Sequence, residues 1–248
     1  CEAASKRREN FNTVNPCGEI LLDSKGVCNL TTVNVMGFVR EDGTMDTDGL
    51  LRAMWLSARA AVRMTCLELE LERWDAIQKR DRLLGCSVTG WQDAMNAVKY
   101  GVPEQTRLLR TLREAIHAAG TGYAKELGIN TPLLMTTVKP EGTLSQLPGV
   151  SSGVHFSHSP YYIRRVRISA DDPLAKVAVM LDWPICPEVN QTWENAVTYV
   201  VEFPVKAPSG RTKSDVSAIE QLEIYKMFMS SYVDHNCSIT VHVRDHEW

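Results

Sequence analysis

Apolar residues recur at helical spacing in two long stretches. Leu50, Leu51, Met54, Trp55, Ala58, Ala61, Val62, Cys66 and Leu69 predict one long amphipathic helix. Asp46 and Asp48 sit where acidic side chains favour a helix N-terminus. Leu108, Leu109, Leu112, Ala115, Ile116, Ala119 and Tyr123 form the second stripe, with Pro103 at a first helical position and Gly128 as the stop. A shorter helix is expected from about Trp91 to Tyr100. Another is expected over Asp215–Val233, where Ser217 and Glu220 have capping-box spacing. Strand candidates are Asn29–Val39 (a strand-like or buried exit), Leu83–Thr89, Met135–Val138, Tyr161–Ile168 and Ala196–Phe203. The alternation of Ile239, Val241 and Val243 with Ser238, Thr240 and His242 adds a half-buried strand. Strands separated by helices predict an α/β fold with parallel pairing. Periodicity leaves open whether the sheet is open or closed. Residues 1–12 are polar and predict an exposed lead-in.

Between that lead-in and the first helix lies Asn15-Pro16-Cys17-Gly18-Glu19, with a second cysteine at Cys28. Pro16 fixes its own φ and Gly18 tolerates unusual backbone angles, so the segment reads as a sharp loop. If the backbone is extended, Asn15, Cys17 and Glu19 share a face, because side chains at i, i+2 and i+4 do. A thiol beside a carboxylate is placed for chemistry. A buried cysteine next to an ordinary turn is the bland alternative. A second loop, Thr136–Ser145, follows a predicted strand. Gly142 lets the backbone approach a ligand, and Thr143 and Ser145 offer hydroxyls and N–H groups to phosphate oxygens.

Composition narrows the class. The chain has 248 residues, 44% of them hydrophobic, enough for a substantial core. A net charge of −3 gives no overall attraction to nucleic acid or anionic membrane. No apolar run approaches the ~20 residues that span a bilayer, and no signal peptide opens the chain. Seven scattered cysteines, an odd number, suit a reducing cytoplasm with functional thiols. No Cys-x-x-Cys pair supports zinc, and His155 and His158 stand without a nearby cysteine. Cys66, Cys86, Cys186 and Cys237 are read as core residues, and Cys1 has no assigned role. Arg165 and Arg167 fall on one strand face and Arg164 on the other, a solvated or salt-bridged face at least as readily as an anion site. The start at Cys1 and the stop at Trp248 look like cuts, so the whole is read as a fragment of one domain.

Several motifs together resemble one family. Asn15-Pro16-Cys17-Gly18-Glu19-Ile20, followed by Cys28-Asn29-Leu30-Thr31-Thr32-Val33-Asn34-Val35, is similar to the active-site finger loop of ribonucleotide reductase large subunits. Thr136–Ser145, Gly149-Val150-Ser151-Ser152-Gly153-Val154-His155 and Tyr161–Ile168 resemble the same family, from about Asn10 to about Val243. The short gap from Cys17 to Cys28 is similar to the adenosylcobalamin-dependent (class II) triphosphate reductases, since the iron-dependent class usually has a longer insertion there. The resemblance implies a ten-stranded α/β barrel with a central finger loop, of which residues 1–248 are one part. The N-terminal half of the catalytic domain and the C-terminal tail would then be missing.

The resemblance also implies roles. Cys17 matches the thiol that takes the substrate's 3′ hydrogen, Glu19 the general base at the 3′ hydroxyl, and Asn15 an orienting amide. Cys28 matches one member of the reducing cysteine pair, its partner lying upstream, so a Cys17–Cys28 disulfide is not expected. Gly142, Thr143 and Ser145 match the substrate phosphate loop. The family commonly has Ser or Thr where this chain has Glu141, whose charge is expected to point away, while Lys139 offsets phosphate charge or is simply exposed. Implied ligands are a ribonucleoside triphosphate, adenosylcobalamin and a thioredoxin-like or dithiol reductant, without nucleic acid or membrane. The alternatives are an iron- or manganese-dependent reductase fed by a second subunit, and a non-catalytic nucleotide-binding module.

Overall fold

The computed structural model describes residues 12–208 and 210–248. Cys1 and all but the last residue of the polar lead-in lie outside the described residues. The chain divides into two compact units, residues 158–207 and the remainder.

The larger unit is built on parallel strands. β1 (Thr13–Val14) and β2 (Leu21–Leu22) make a small antiparallel hairpin, and β3 (Cys28–Asn34) pairs in parallel with β4 (Leu83–Thr89), from Cys28↔Leu83 to Asn34↔Thr89. Every residue of β4 is buried, as expected of a central parallel strand. The parallel arrangement continues through isolated bridges, Cys86↔Thr136 and then Val138↔Cys237. The expected strand at Met135–Val138 is thus an extended segment making single bridges. The alternating run at 239–243 is not a strand: beyond Cys237 it has no ladder, and alternation alone cannot supply a neighbour. The α/β class and parallel pairing stand. Among the described residues the sheets are small and open, and no closed ten-stranded barrel is formed.

Helices cover this sheet. α1 (Thr47–Met64) starts where Asp46 accepts a hydrogen bond from the Gly49 N–H, the capping role that satisfies one of the first-turn donors left without an intrahelical partner. It packs Leu50, Met54, Ala58, Ala61 and Val62 into the core. α2 (Glu72–Asp81) precedes β4, and α3 (Trp91–Val98) follows it. α4 (Val102–Glu126) buries Leu108, Leu109, Leu112 and Ile116. α6, the last helix (Ala218–Ser231; α5 belongs to the smaller unit), adds Phe228, whose ring meets Trp91 edge-on at 5.1 Å. Ser217 caps α6 through the Glu220 N–H, while the Glu220 carboxylate pairs with Arg211 instead of completing the expected box. Cys66 is a correction: α1 ends at Met64, the stripe stops with it, and the thiol is exposed. No helix among the described residues is long and apolar enough to cross a membrane.

The smaller unit is antiparallel, contrary to the parallel expectation. β5 (Tyr161–Ser169) pairs with β7 (Thr198–Lys206), which also pairs with β6 (Ile185–Pro187); α5 (Pro173–Met180) lies between β5 and β6 in the chain. Arg165 and Glu202 are direct cross-strand partners, 2.7 Å apart, and Arg167 pairs with Glu188. Arg164 donates to the Tyr162 hydroxyl at 3.0 Å. Arg165 and Arg167 therefore make a salt-bridged face. Cys186 is exposed rather than in the core, because β6 is a three-residue edge strand.

Candidate active site

The hairpin tip carries the candidate residues Asn15, Cys17 and Glu19. Gly18 adopts φ +76°, and its N–H donates to the Asn15 carbonyl at 2.9 Å, so residues 15–18 form a turn. Asn15 closes the turn further: its Oδ1 accepts from the Ile20 N–H at 3.0 Å. An extended backbone was the condition for Asn15, Cys17 and Glu19 to share a face, and the turn removes it. Cys17 is exposed, whereas Glu19 is 2% exposed. Asn15 Oδ1 commits one lone pair to the loop, while Nδ2, a donor, is left for a ligand to accept from.

Glu19, like Glu141, carries a buried carboxylate oxygen without a partner. Its Oε2 accepts no hydrogen bond from the described residues. A buried carboxylate oxygen without a donor is costly, and this one lies two residues from an exposed thiol. The backbone around it is firmly held. The Glu19 carbonyl accepts from Thr137 Oγ1 at 2.8 Å and from the Asn236 N–H at 3.1 Å. Ile20 packs toward β4 at Gly85, where a Cβ would stand 3.3 Å from Ile20 Cδ1 and 2.2 Å from Leu30 Cδ2. The missing side chain at Gly85 thus admits the hairpin onto the strand.

Residues after α6, which the sequence reading did not single out, clamp the hairpin. Asn236 Nδ2 donates to the Gly18 carbonyl at 2.8 Å, and Asn236 Oδ1 accepts from Tyr225 at 2.9 Å. His235 is buried; its Nδ1 accepts from the Leu21 N–H at 3.3 Å and its Nε2 meets the Leu84 carbonyl at 2.9 Å. A carbonyl only accepts, so the proton sits on Nε2. The one local signal was a polar run, Asp234-His235-Asn236, between an apolar helix and an alternating segment.

Cys28 opens β3, partly buried near Leu21, Leu22 and Leu83. No disulfide joins any two of the described cysteines, so Cys17 and Cys28 are not linked. Cys86 and Cys237 are buried, as read from the sequence, and burial pushes both thiols up, to about 11 and about 12.

The second loop runs on from Thr137. Gly142 and Thr143 are exposed and Ser145 is buried. Only a three-residue 3-10 turn, Leu144–Gln146, follows Thr143, too short for a useful helix dipole. Gly142 does not have positive φ; the strained residue is Glu141, at φ +58°. The Glu141 side chain is buried, accepts from Thr32 Oγ1 and lies 3.1 Å from Lys139 Nζ. Lys139 is therefore a partner of Glu141 and not a free surface charge. The Gly149–His155 motif braces the loop: the Gly153 N–H donates to Thr89 Oγ1 at 3.0 Å, and a Cβ on Gly153 would lie 2.6 Å from the Lys139 carbonyl oxygen. His155 is structural: Nδ1 lies 2.8 Å from the Ser152 carbonyl, Nε2 accepts from the Thr240 N–H, and burial lowers its pKa.

The family model for the ribonucleotide reductase barrel domain matches residues 3–132. The chain belongs to that family. Among ribonucleotide reductases it is 31% identical to the adenosylcobalamin-dependent ribonucleoside-triphosphate reductase of Lactobacillus acidophilus, over 94% of this chain and 34% of that protein. It is 30% identical to the enzyme of the same name from Euglena gracilis, over 92% of this chain and 30% of that protein. The crystal structure of a B12-dependent (class II) ribonucleotide reductase superposes with a TM-score of 0.82 at 27% identity, over 96% of this chain and 36% of that one. The alpha subunit of a class Id ribonucleotide reductase from Actinobacillus ureae shares the fold, with a TM-score of 0.61 at 16% identity, over 94% of this chain and 48% of that one. The chain spans about a third of the length of the curated relatives it matches.

Proposed function

We propose that the protein carrying this chain reduces ribonucleoside triphosphates to 2′-deoxyribonucleotides, with Cys17 as the radical thiol. The observation that carries this is one turn holding an exposed sulfur at Cys17 and, two residues on, a buried carboxylate oxygen at Glu19 with no donor among the described residues. A substrate hydroxyl would supply the missing donor. Loss of a hydrogen atom from the Cys17 S–H leaves a sulfur radical that takes the 3′ hydrogen of the ribose. Glu19 takes the 3′-hydroxyl proton as general base, and the 2′ hydroxyl departs as water. The two electrons and hydrogens come from a thiol pair that ends as a disulfide, Cys28 being one member and a cysteine outside these residues the other. Cys17 then returns its hydrogen atom to C3′, which restores the sulfur radical. Asn15 Nδ2 orients the ribose, and the Gly142, Thr143 and Ser145 loop receives the phosphates. A dithiol or thioredoxin-like protein resets the pair. The lack of a disulfide between any of the described cysteines is consistent with a reducing, cytoplasmic setting. On this reading residues 1–248 are one part of a reductase catalytic barrel domain, and that part alone is inactive.

The residues present fit adenosylcobalamin at its reacting end. Cys17 is exposed at the hairpin tip, where a bulky group can reach the sulfur. Its cobalt arrives already held by the corrin, so the lack of a side-chain metal cluster among the described residues is no obstacle. When bound, the cofactor supplies a carbon radical able to take a thiol hydrogen atom. The test is Cys17→Ser in the intact protein: nucleotide binding persists and deoxynucleotide formation stops, because the serine O–H bond is too strong for the same step. Multiple-turnover product from that variant refutes the assignment. Wild-type turnover that needs a second, metal-loaded subunit instead of adenosylcobalamin refutes the cofactor.

A further inference from the structure

We propose that Asn236 is a positioning residue for the Cys17 thiol, acting through the Gly18 carbonyl, with Tyr225 fixing the direction of its amide. The inference rests on the reading of Cys17 as the reacting thiol. Packing does not place the tip of the turn. Cys17 is exposed, and a Cβ built on Gly18 would meet no atom within 4 Å. What reaches the tip is a hydrogen bond from a residue far along the chain, Asn236 Nδ2 to Gly18 O, 2.8 Å.

The amide can lie only one way round. The Gly18 carbonyl accepts and cannot donate, so Nδ2 must face it, which leaves Oδ1 for the Tyr225 hydroxyl at 2.9 Å. Tyr225 stands on α6, whose Met227 and Phe228 are locked in the core. The hydroxyl, amide and turn carbonyl thus form one line from a rigid helix to the peptide next to Cys17. The base of the hairpin has separate supports: the Asn236 backbone N–H and Thr137 Oγ1 on the Glu19 carbonyl, and His235 on the Leu21 N–H. Removing the Asn236 side chain therefore releases the tip and leaves the base attached.

The experiment compares Asn236→Ala, Asn236→Asp and Tyr225→Phe in the intact protein. Three quantities are read: hydrogen exchange of the Gly18 amide, the kcat and KM of reduction, and thermal stability. In Asn236→Ala, Gly18 exchange is expected to rise about tenfold, by the loss of a bond of ordinary strength. A slight misplacement of the sulfur lowers kcat about 100-fold, with KM within about twofold because the phosphate loop is untouched. Tyr225→Phe moves both quantities in the same direction by less, and stands in should Asn236→Ala fail to fold. Asn236→Asp keeps the shape, but an ionised carboxylate cannot donate to Gly18 O. Its exchange and kcat should recover toward wild type, relative to wild type at the same pH, as the carboxyl protonates. A purely structural residue would not show that recovery. Unchanged Gly18 exchange in folded Asn236→Ala and Tyr225→Phe overturns the clamp and leaves the Cys17 assignment intact. Faster exchange with unchanged kcat overturns the positioning role. Turnover by Cys17→Ser overturns the function on which the proposal rests.

Discussion

Gly153→Ala tests whether the bracing of the second loop is as tight as its geometry indicates. Two effects act at this position. Its φ of +53° is left-handed, and a Cβ would stand 2.6 Å from the Lys139 carbonyl oxygen. Neither side can easily retreat: the Gly153 N–H is held by Thr89 Oγ1, and the Lys139 N–H by Ser87 Oγ at 2.9 Å. Gly149→Ala is the matched control, because Gly149 has φ +69° but nothing within 4 Å of its Cβ position. Both variants incur the left-handed penalty of about 1–2 kcal/mol, and both gain similarly from a stiffer unfolded chain, about 0.4–1 kcal/mol. Those contributions cancel in the comparison. What remains is the forced contact, worth about 1–3 kcal/mol by analogy with overpacked interiors. Urea denaturation of the intact protein should therefore show Gly153→Ala less stable than Gly149→Ala by that margin. A displaced Lys139 carbonyl also shifts Glu141 and Gly142, so the KM for nucleotide should rise in Gly153→Ala and not in Gly149→Ala. Equal destabilisation of the two variants, within about 0.5 kcal/mol, would refute the close approach.

Gly142→Val should leave stability unchanged, since a Cβ there meets no protein atom, yet raise KM if phosphates approach that backbone; unchanged kinetics would remove Gly142 from the site. Cys28→Ser should block dithiol-driven turnover, and peptide mapping of the wild type after one turnover should link Cys28 to a cysteine other than Cys17; full activity of the variant contradicts the pairing. Burial alone would raise the Asp234 carboxyl, but His117 at 2.8 Å, the Met135 N–H and Arg113 outweigh it and hold it below the usual 3.8. Its stabilisation is thus complete above about pH 4 and drains away as acid approaches the lowered folded value. Asp234→Asn should cost about 1–3 kcal/mol at pH 7 and flatten that acid decline, as melts between pH 2 and pH 7 would show.

Features that depend on neighbours in sequence were legible. The α1 and α4 stripes, the buried run of β4, Pro103 in the first turn of α4 and the Arg165 and Arg167 face all follow from local spacing. Cys66 misled because periodicity carries no end marker once a helix has stopped at Met64. The run at 239–243 misled because a strand is defined by a partner, which alternation does not reveal. Cys17 and Glu19 were singled out from their motif, but their opposite exposures were not legible, since a positive φ at Gly18 cancels the alternation rule. The clamp at His235 and Asn236 was invisible for a simpler reason: its bonds to the hairpin join residues more than 200 positions apart.

The turn is moored by its carbonyl groups. Gly18 and Glu19 are held through their backbone oxygens, whereas the Cys17 side chain is committed to nothing that fixes the hairpin. The arrangement resembles a tool holder: the grip is main chain, which every amino acid shares, and the bit is whatever side chain stands at position 17. Sulfur can be replaced by oxygen, alkylated or labelled there without unhooking the loop. On the proposed assignment, lost turnover in a Cys17 variant can therefore be read as lost chemistry, and the same mount could display a spectroscopic probe at the proposed reaction centre.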